Sequence, residues 1–127
     1  MLPLAYVLAG IAALVHVYIF RLESLAWTEA RTRAVFGTTP ESAETTRSMA
    51  YNQGFYNLFL AITVGLGIVL HAAGQHAVAA TLVLTGAGSM MAASLVLLLS
   101  SPDKAGAAIK QGALPAVGVA LLVVGLL

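Results

Sequence analysis

Two groups of side chains in this 127-residue chain could do chemistry. His16 and Glu23 are titratable and seven residues apart, with Trp27 four further on, so on one continuous helix all three fall on a single stripe. Inside the stretch "SMAYNQGFYN", Asn52 with Tyr56 and Gln53 with Asn57 make two adjacent i, i+4 pairs, and Gln111 stands near the head of the last apolar run. An imidazole can give and take a proton near neutral pH, a carboxyl can be a second titrating group, and carboxamides and a phenol can orient a ligand or stabilise developing negative charge. That is equipment for acid–base chemistry, such as isomerisation, with no cofactor. His16 and Glu23 are therefore the catalytic candidates, and Trp27, Asn52, Gln53, Tyr56, Asn57 and Gln111 the ligand-binding ones. On a helix the first two are separated by roughly 10 Å along the axis, too far for a direct hydrogen bond, so each needs other partners.

The elements that must position these groups are dictated by composition. Hydrophobic residues make up 60% of the chain and charged ones 9%, a balance far from that of a soluble domain and expected of an integral membrane protein. Apolar runs long enough to cross about 30 Å of hydrocarbon predict four spanning helices, at about 3–35 with an extension beyond the membrane, 40–71, 77–100 and 107–127. No basic residue precedes the first run, so it is expected to be a span and not a cleaved leader. The connections "HAAGQH" and "SSPDKAG" are short turns, so neighbouring helices must be antiparallel. The expected fold is an all-α, four-helix membrane bundle in one domain.

The first connection, Arg21 to Ser48, holds eight of the eleven charged residues. "RLESLAWTEARTRAVF" has no glycine or proline and predicts that the first helix runs past the interface until Gly37, with Thr38 or Thr39 and Pro40 starting the next. All six cations lie in or beside the first and third connections, which puts those connections in the cytoplasm and both termini outside by the positive-inside rule. Taking Arg21 and Ser48 as the membrane boundaries sets Asn52 opposite Ile19 or Phe20, and Tyr56 opposite His16. A net charge of +1 gives no basic face for nucleic acid, and the absence of cysteine removes thiolate metal sites and disulfides. His71 and His76 alone are too few for a metal centre, and none is expected.

The pattern His16, Tyr18, Leu22, Glu23 and Trp27, followed by Ala50, Asn52, Gln53, Gly54, Tyr56, Asn57 and Leu60, resembles a small bacterial inner-membrane family, domain-of-unknown-function family 1304. Gln111, Gly112 and Pro115 resemble its "Q-G-x-x-P" element, and Asn-Gln-Gly-x-Tyr-Asn is the specific part. The resemblance covers nearly the whole chain and implies four transmembrane helices, a shared intramembrane polar motif and a place in the bacterial inner membrane. It implies no particular activity.

The expected partners are membrane lipid and a small apolar ligand, such as an isoprenoid, quinone or epoxide, held between helices with its polar end on the patch. Proton-coupled export and an accessory structural subunit are the rival classes. Four short helices enclose little volume, which makes a homo-oligomer a natural expectation.

Overall fold

The computed structural model describes all residues 1–127 and contains only helices. Helix α1 (Leu2–Phe20) continues into a π-turn (Arg21–Leu25), and α2 (Ala30–Phe36) follows a short linker. Helices α3 (Pro40–Ala72) and α4 (His76–Ser100) follow, then a 3₁₀ turn (Pro102–Lys104) and α5 (Ala105–Leu126). The segments Leu2–Leu25, Pro40–Ala72, His76–Ser100 and Pro102–Leu126 are each long and apolar enough to cross a membrane.

The expectation of one helix over 3–35 is where the structure departs from the sequence reading. The chain leaves helical geometry at Ala26 (φ −132°, ψ 20°), and Glu29 is extended (φ −66°, ψ 145°) before α2 begins. Two side-chain bonds hold the turned segment on α3: Ser24 Oγ donates to the Tyr51 carbonyl at 2.7 Å, and Trp27 Nε1 donates to Thr46 Oγ1 at 3.1 Å. The linker thus folds back instead of running out into water. Gly37 ends α2 in the left-handed region (φ 68°), where a side chain is disfavoured. Thr39 then caps α3, its Oγ1 accepting from the Ser42 N–H at 3.1 Å, with Pro40 in the first turn.

The four long helices form a ring in which α1 and α4 each pack on both α3 and α5. Their shared core is built largely from alanine: Ala5, Ala9, Ala12, Ala13, Ala61 and Ala87 are buried around Val64, Val83, Met90 and Leu122. Large apolar residues point outward instead, with Leu14 70%, Val96 65% and Leu99 74% exposed. Small residues inside and large ones outside invert the soluble pattern, since lipid offers large side chains no reason to withdraw and close backbone approach supplies the packing. The chain is a multi-pass membrane protein, a helical bundle whose outer surface contacts lipid.

The register between α1 and α3 is read from three contacts. Tyr6 stacks on His71 with ring centroids 4.0 Å apart, Gly10 lies against Ile68, and Glu23 meets Asn57. His16 is therefore level with about Ile62 or Thr63, and the expected pairing of His16 with Tyr56 is displaced by about two turns. The cause is that Arg21 and Ser48 are not level: α3, from Pro40 onward, lies beside the π-turn and linker, with Tyr51 at Ser24 and Thr46 at Trp27.

Candidate functional site

Glu23 is the one buried carboxyl at the basic end of the bundle. The π-turn that carries it has one residue more per turn than an α-helix, a local widening often associated with functional sites. Here it turns Leu22 and Glu23 inward, leaving Glu23 only 9% exposed. Asn57 Nδ2 donates to Glu23 Oε2 at 2.7 Å and also reaches the Gln53 carbonyl at 3.2 Å. No lysine, arginine or histidine is within ion-pair distance of Glu23, and the one ion pair in the chain joins exposed Glu44 and Arg47 at 3.8 Å.

Gly54 is what lets the π-turn sit so close. A Cβ at this position would overlap Ser24 Oγ and stand 2.9 Å from the Ser24 backbone nitrogen and 3.1 Å from Glu23 Cβ. The "NQG" core of the motif thus reads as a contact device: glycine admits the turn, and Asn57, three residues on, meets the carboxyl it delivers.

Two cavities flank this contact. The larger, about 850 Å³, lies among α2, the start of α3, the end of α4 and the start of α5, and includes Glu23, Trp27, Gln53, Asn57 and Gln111 in its wall. Along α3 its lining follows Ser42, Thr46, Met49, Gln53 and Asn57, spacings of four, three, four and four that define one helix face. Phe36 lies 4.9 Å from Trp27, centroid to centroid, and both rings contribute to the wall. Thr38 Oγ1, on the same wall, is buried without a hydrogen-bond partner. Asp103 and Lys104 complete the charged lining. The smaller cavity, about 580 Å³, is bounded by Glu23, Ser24, Trp27, Tyr51 and Asn52 with the Glu44–Arg47 pair. Glu23 and Trp27 are common to both and so form the partition between them.

The structure therefore gathers Glu23, Trp27, Gln53, Asn57 and Gln111 around one cavity and sends the other candidates elsewhere. Asn52 faces the smaller cavity, its Nδ2 donating to the Ser48 carbonyl at 3.3 Å. Tyr56 is 69% exposed on the outer surface of α3. His16 is buried in the α1 packing face, where Nδ1 donates to the Ala12 carbonyl at 2.8 Å, and it lines neither cavity. Of the two i, i+4 pairs in the motif, Gln53 with Asn57 meets the larger cavity and Asn52 with Tyr56 does not, because the two pairs are offset by about 100° around the helix.

Sequence reasoning missed Thr46, Ser42, Phe36, Thr38 and Ser24. Ser42 and Thr46 were legible in principle, since they continue the Gln53–Asn57 stripe toward the N-terminus at helical spacing. Setting the span boundary at Ser48 cut them off. Ser24, Phe36 and Thr38 carry no periodic signal, because they sit in the π-turn and at the end of α2, where the backbone leaves regular α-geometry.

A family model described as "Protein of unknown function (DUF1304)" matches residues 10–123, a range that contains every side chain of this site. No curated protein and no solved structure matches the chain.

Proposed function

The chain belongs to the DUF1304 family, and we propose, from its site, that it binds a small amphiphile whose polar head meets Glu23 and Asn57 while its apolar body lies among the helices. One observation carries the reading: a buried carboxyl, held by a single carboxamide, stands in the wall of a cavity of about 850 Å³ that also presents two further carboxamides, Gln53 and Gln111, beside apolar residues such as Met49 and Leu97. Burying a carboxyl at membrane depth costs several kcal/mol, and intramembrane ionisable groups are characteristically found facing a cavity with a functional role. A mixed wall of this kind is the usual makeup of a small-molecule site, apolar contact giving affinity and a few polar groups giving orientation.

Proton transfer to or from the bound head would fall to Glu23, the one titratable side chain bordering both cavities. His16, tied to its own helix, serves packing in this reading. All six lysines and arginines belong to this end of the bundle, which supports placing the site in the cytoplasmic leaflet.

Native mass spectrometry tests the proposal on protein extracted in mild detergent. Wild type should carry a co-purifying small molecule that is depleted in Asn57→Leu and Gln53→Leu and retained in Asn52→Ala, whose side chain faces the other cavity. Equal occupancy in all four proteins, or none in wild type, would remove the reading.

A further inference from the structure

The cavity's charges say more about the head group. Its lining includes two acids, Glu23 and Asp103, and one base, Lys104, so an anionic head would meet net like charge. Asp103 and Lys104 are exposed neighbours on the 3₁₀ turn and can answer one another through water. Glu23 is different: it is buried, its one hydrogen bond comes from a neutral amide, and no cationic side chain of the protein reaches it. A buried carboxylate without a counter-charge is a strongly unfavourable arrangement, relieved either by a proton or by a cation that arrives from outside the chain.

The aromatic groups point the same way. Trp27 and Phe36 lie 4.9 Å apart with their planes tilted by 57°, both on the wall that Glu23 shares, and the indole is fixed by its bond to Thr46. Ring faces set at an angle beside a carboxylate suit an alkylammonium, which binds π-faces and carboxylate together and which water holds less tightly than a bare metal ion. A metal ion suits this wall less well: no group of three or more histidine or carboxylate side chains is gathered to hold one, and one carboxylate with rings is not a metal donor set.

Resting on the reading that the cavity holds an amphiphile, we infer that the head group it takes is a cation, an alkylammonium of primary to quaternary type, with Glu23 as its counter-charge and Trp27 and Phe36 as its aromatic walls. Gln53, Gln111 and Thr38 then accept hydrogen bonds from ammonium N–H groups where the amine has them.

Trp27 is the only tryptophan, so its emission reports directly on the cavity. Purified full-length protein in a neutral maltoside detergent, at fixed micelle concentration, is titrated with decylamine, decyltrimethylammonium, decanol and decanoate. Saturable changes in emission are expected for the two cations at concentrations at least about tenfold below those needed for decanol, the ratio that a charge-assisted contact with a buried carboxylate supplies. Glu23→Gln should abolish that advantage, bringing the two cations to within about twofold of decanol, and Phe36→Leu should weaken the cations more than decanol. Equal response of wild type to decanol and decylamine, or a preference for decanoate, overturns the cationic head and leaves the amphiphile site standing. The absence of a saturable response to all four probes overturns both. The comparison among probes in wild type needs no variant to fold.

Discussion

Substituting Gly54 by alanine tests the contact on which the site depends. The added Cβ would overlap Ser24 Oγ, which can rotate away, but it would also stand 2.9 Å from the Ser24 backbone nitrogen and 3.1 Å from Glu23 Cβ, which cannot. An ordinary contact needs roughly 3.4 Å or more, so α3 and the π-turn must separate by about half an ångström. Overpacking of this kind costs about 1–3 kcal/mol. The separation also lengthens two bonds of 2.7 Å, Ser24 Oγ to the Tyr51 carbonyl and Asn57 Nδ2 to Glu23 Oε2, toward the outer limit of about 3.2 Å. Circular-dichroism melting in detergent should show an apparent Tm lower by about 3–10 °C, and Trp27 emission should shift as the linker moves. Ser24→Ala in the Gly54→Ala background should recover only part of the loss, because the backbone clash remains. A single Gly54→Ala variant with the melting point and emission of wild type would refute the close approach, and with it the placement of Glu23 against Asn57.

Other substitutions separate site from scaffold. Asn57→Leu removes the one hydrogen bond to a buried carboxyl and should lower stability by about 1.5–3 kcal/mol, read as an apparent Tm shift, with Glu23→Gln in the same chain restoring part of it. Thr46→Val leaves the indole N–H without its acceptor, which should cost about 1 kcal/mol and change the emission maximum of the sole tryptophan. Tyr56→Phe, on an exposed surface with no hydrogen bond, should change melting by less than about 0.5 kcal/mol and leave ligand retention by native mass spectrometry intact.

The bundle was legible in the sequence because its cause is compositional: four apolar runs joined by turns too short to cross a membrane admit few arrangements. Part of the candidate site's lining was legible for a similar reason, since carboxamides such as Gln53 and Asn57 stand out against an apolar background. What stayed hidden was register. Hydropathy marks where charge begins, at Arg21 on one helix and near Ser48 on the next, but those two points are not level, because the linker folds back along the start of α3 and so sets the motif deeper against α1. The stripe shared by His16, Glu23 and Trp27 failed for a related reason. It assumes an uninterrupted 3.6-residue period, and the π-turn and the break at Ala26 re-aim everything after Phe20.

The location of the cavity follows from the same irregularity. Where α1, α3, α4 and α5 run as regular helices, alanines bring the backbones together and leave a closed core around Val64, Val83 and Met90. Space opens where α1 gives way to the π-turn and the linker carries the chain outward, while α3 continues alongside without it. The gap needs a lining that tolerates both water and lipid, and the chain supplies hydroxyls on α3, rings from Trp27 and Phe36, and a carboxyl that the widened turn points inward. A regular α-helix over residues 21–35 would have closed contact with α3 along its length and left Glu23 at the interface beside Arg21. The break in the first helix is therefore the feature that opens a cavity in a packed membrane bundle, and Ser24, Trp27, Thr46 and Gly54, which hold the break, position the proposed site as much as the turn that carries Glu23 does.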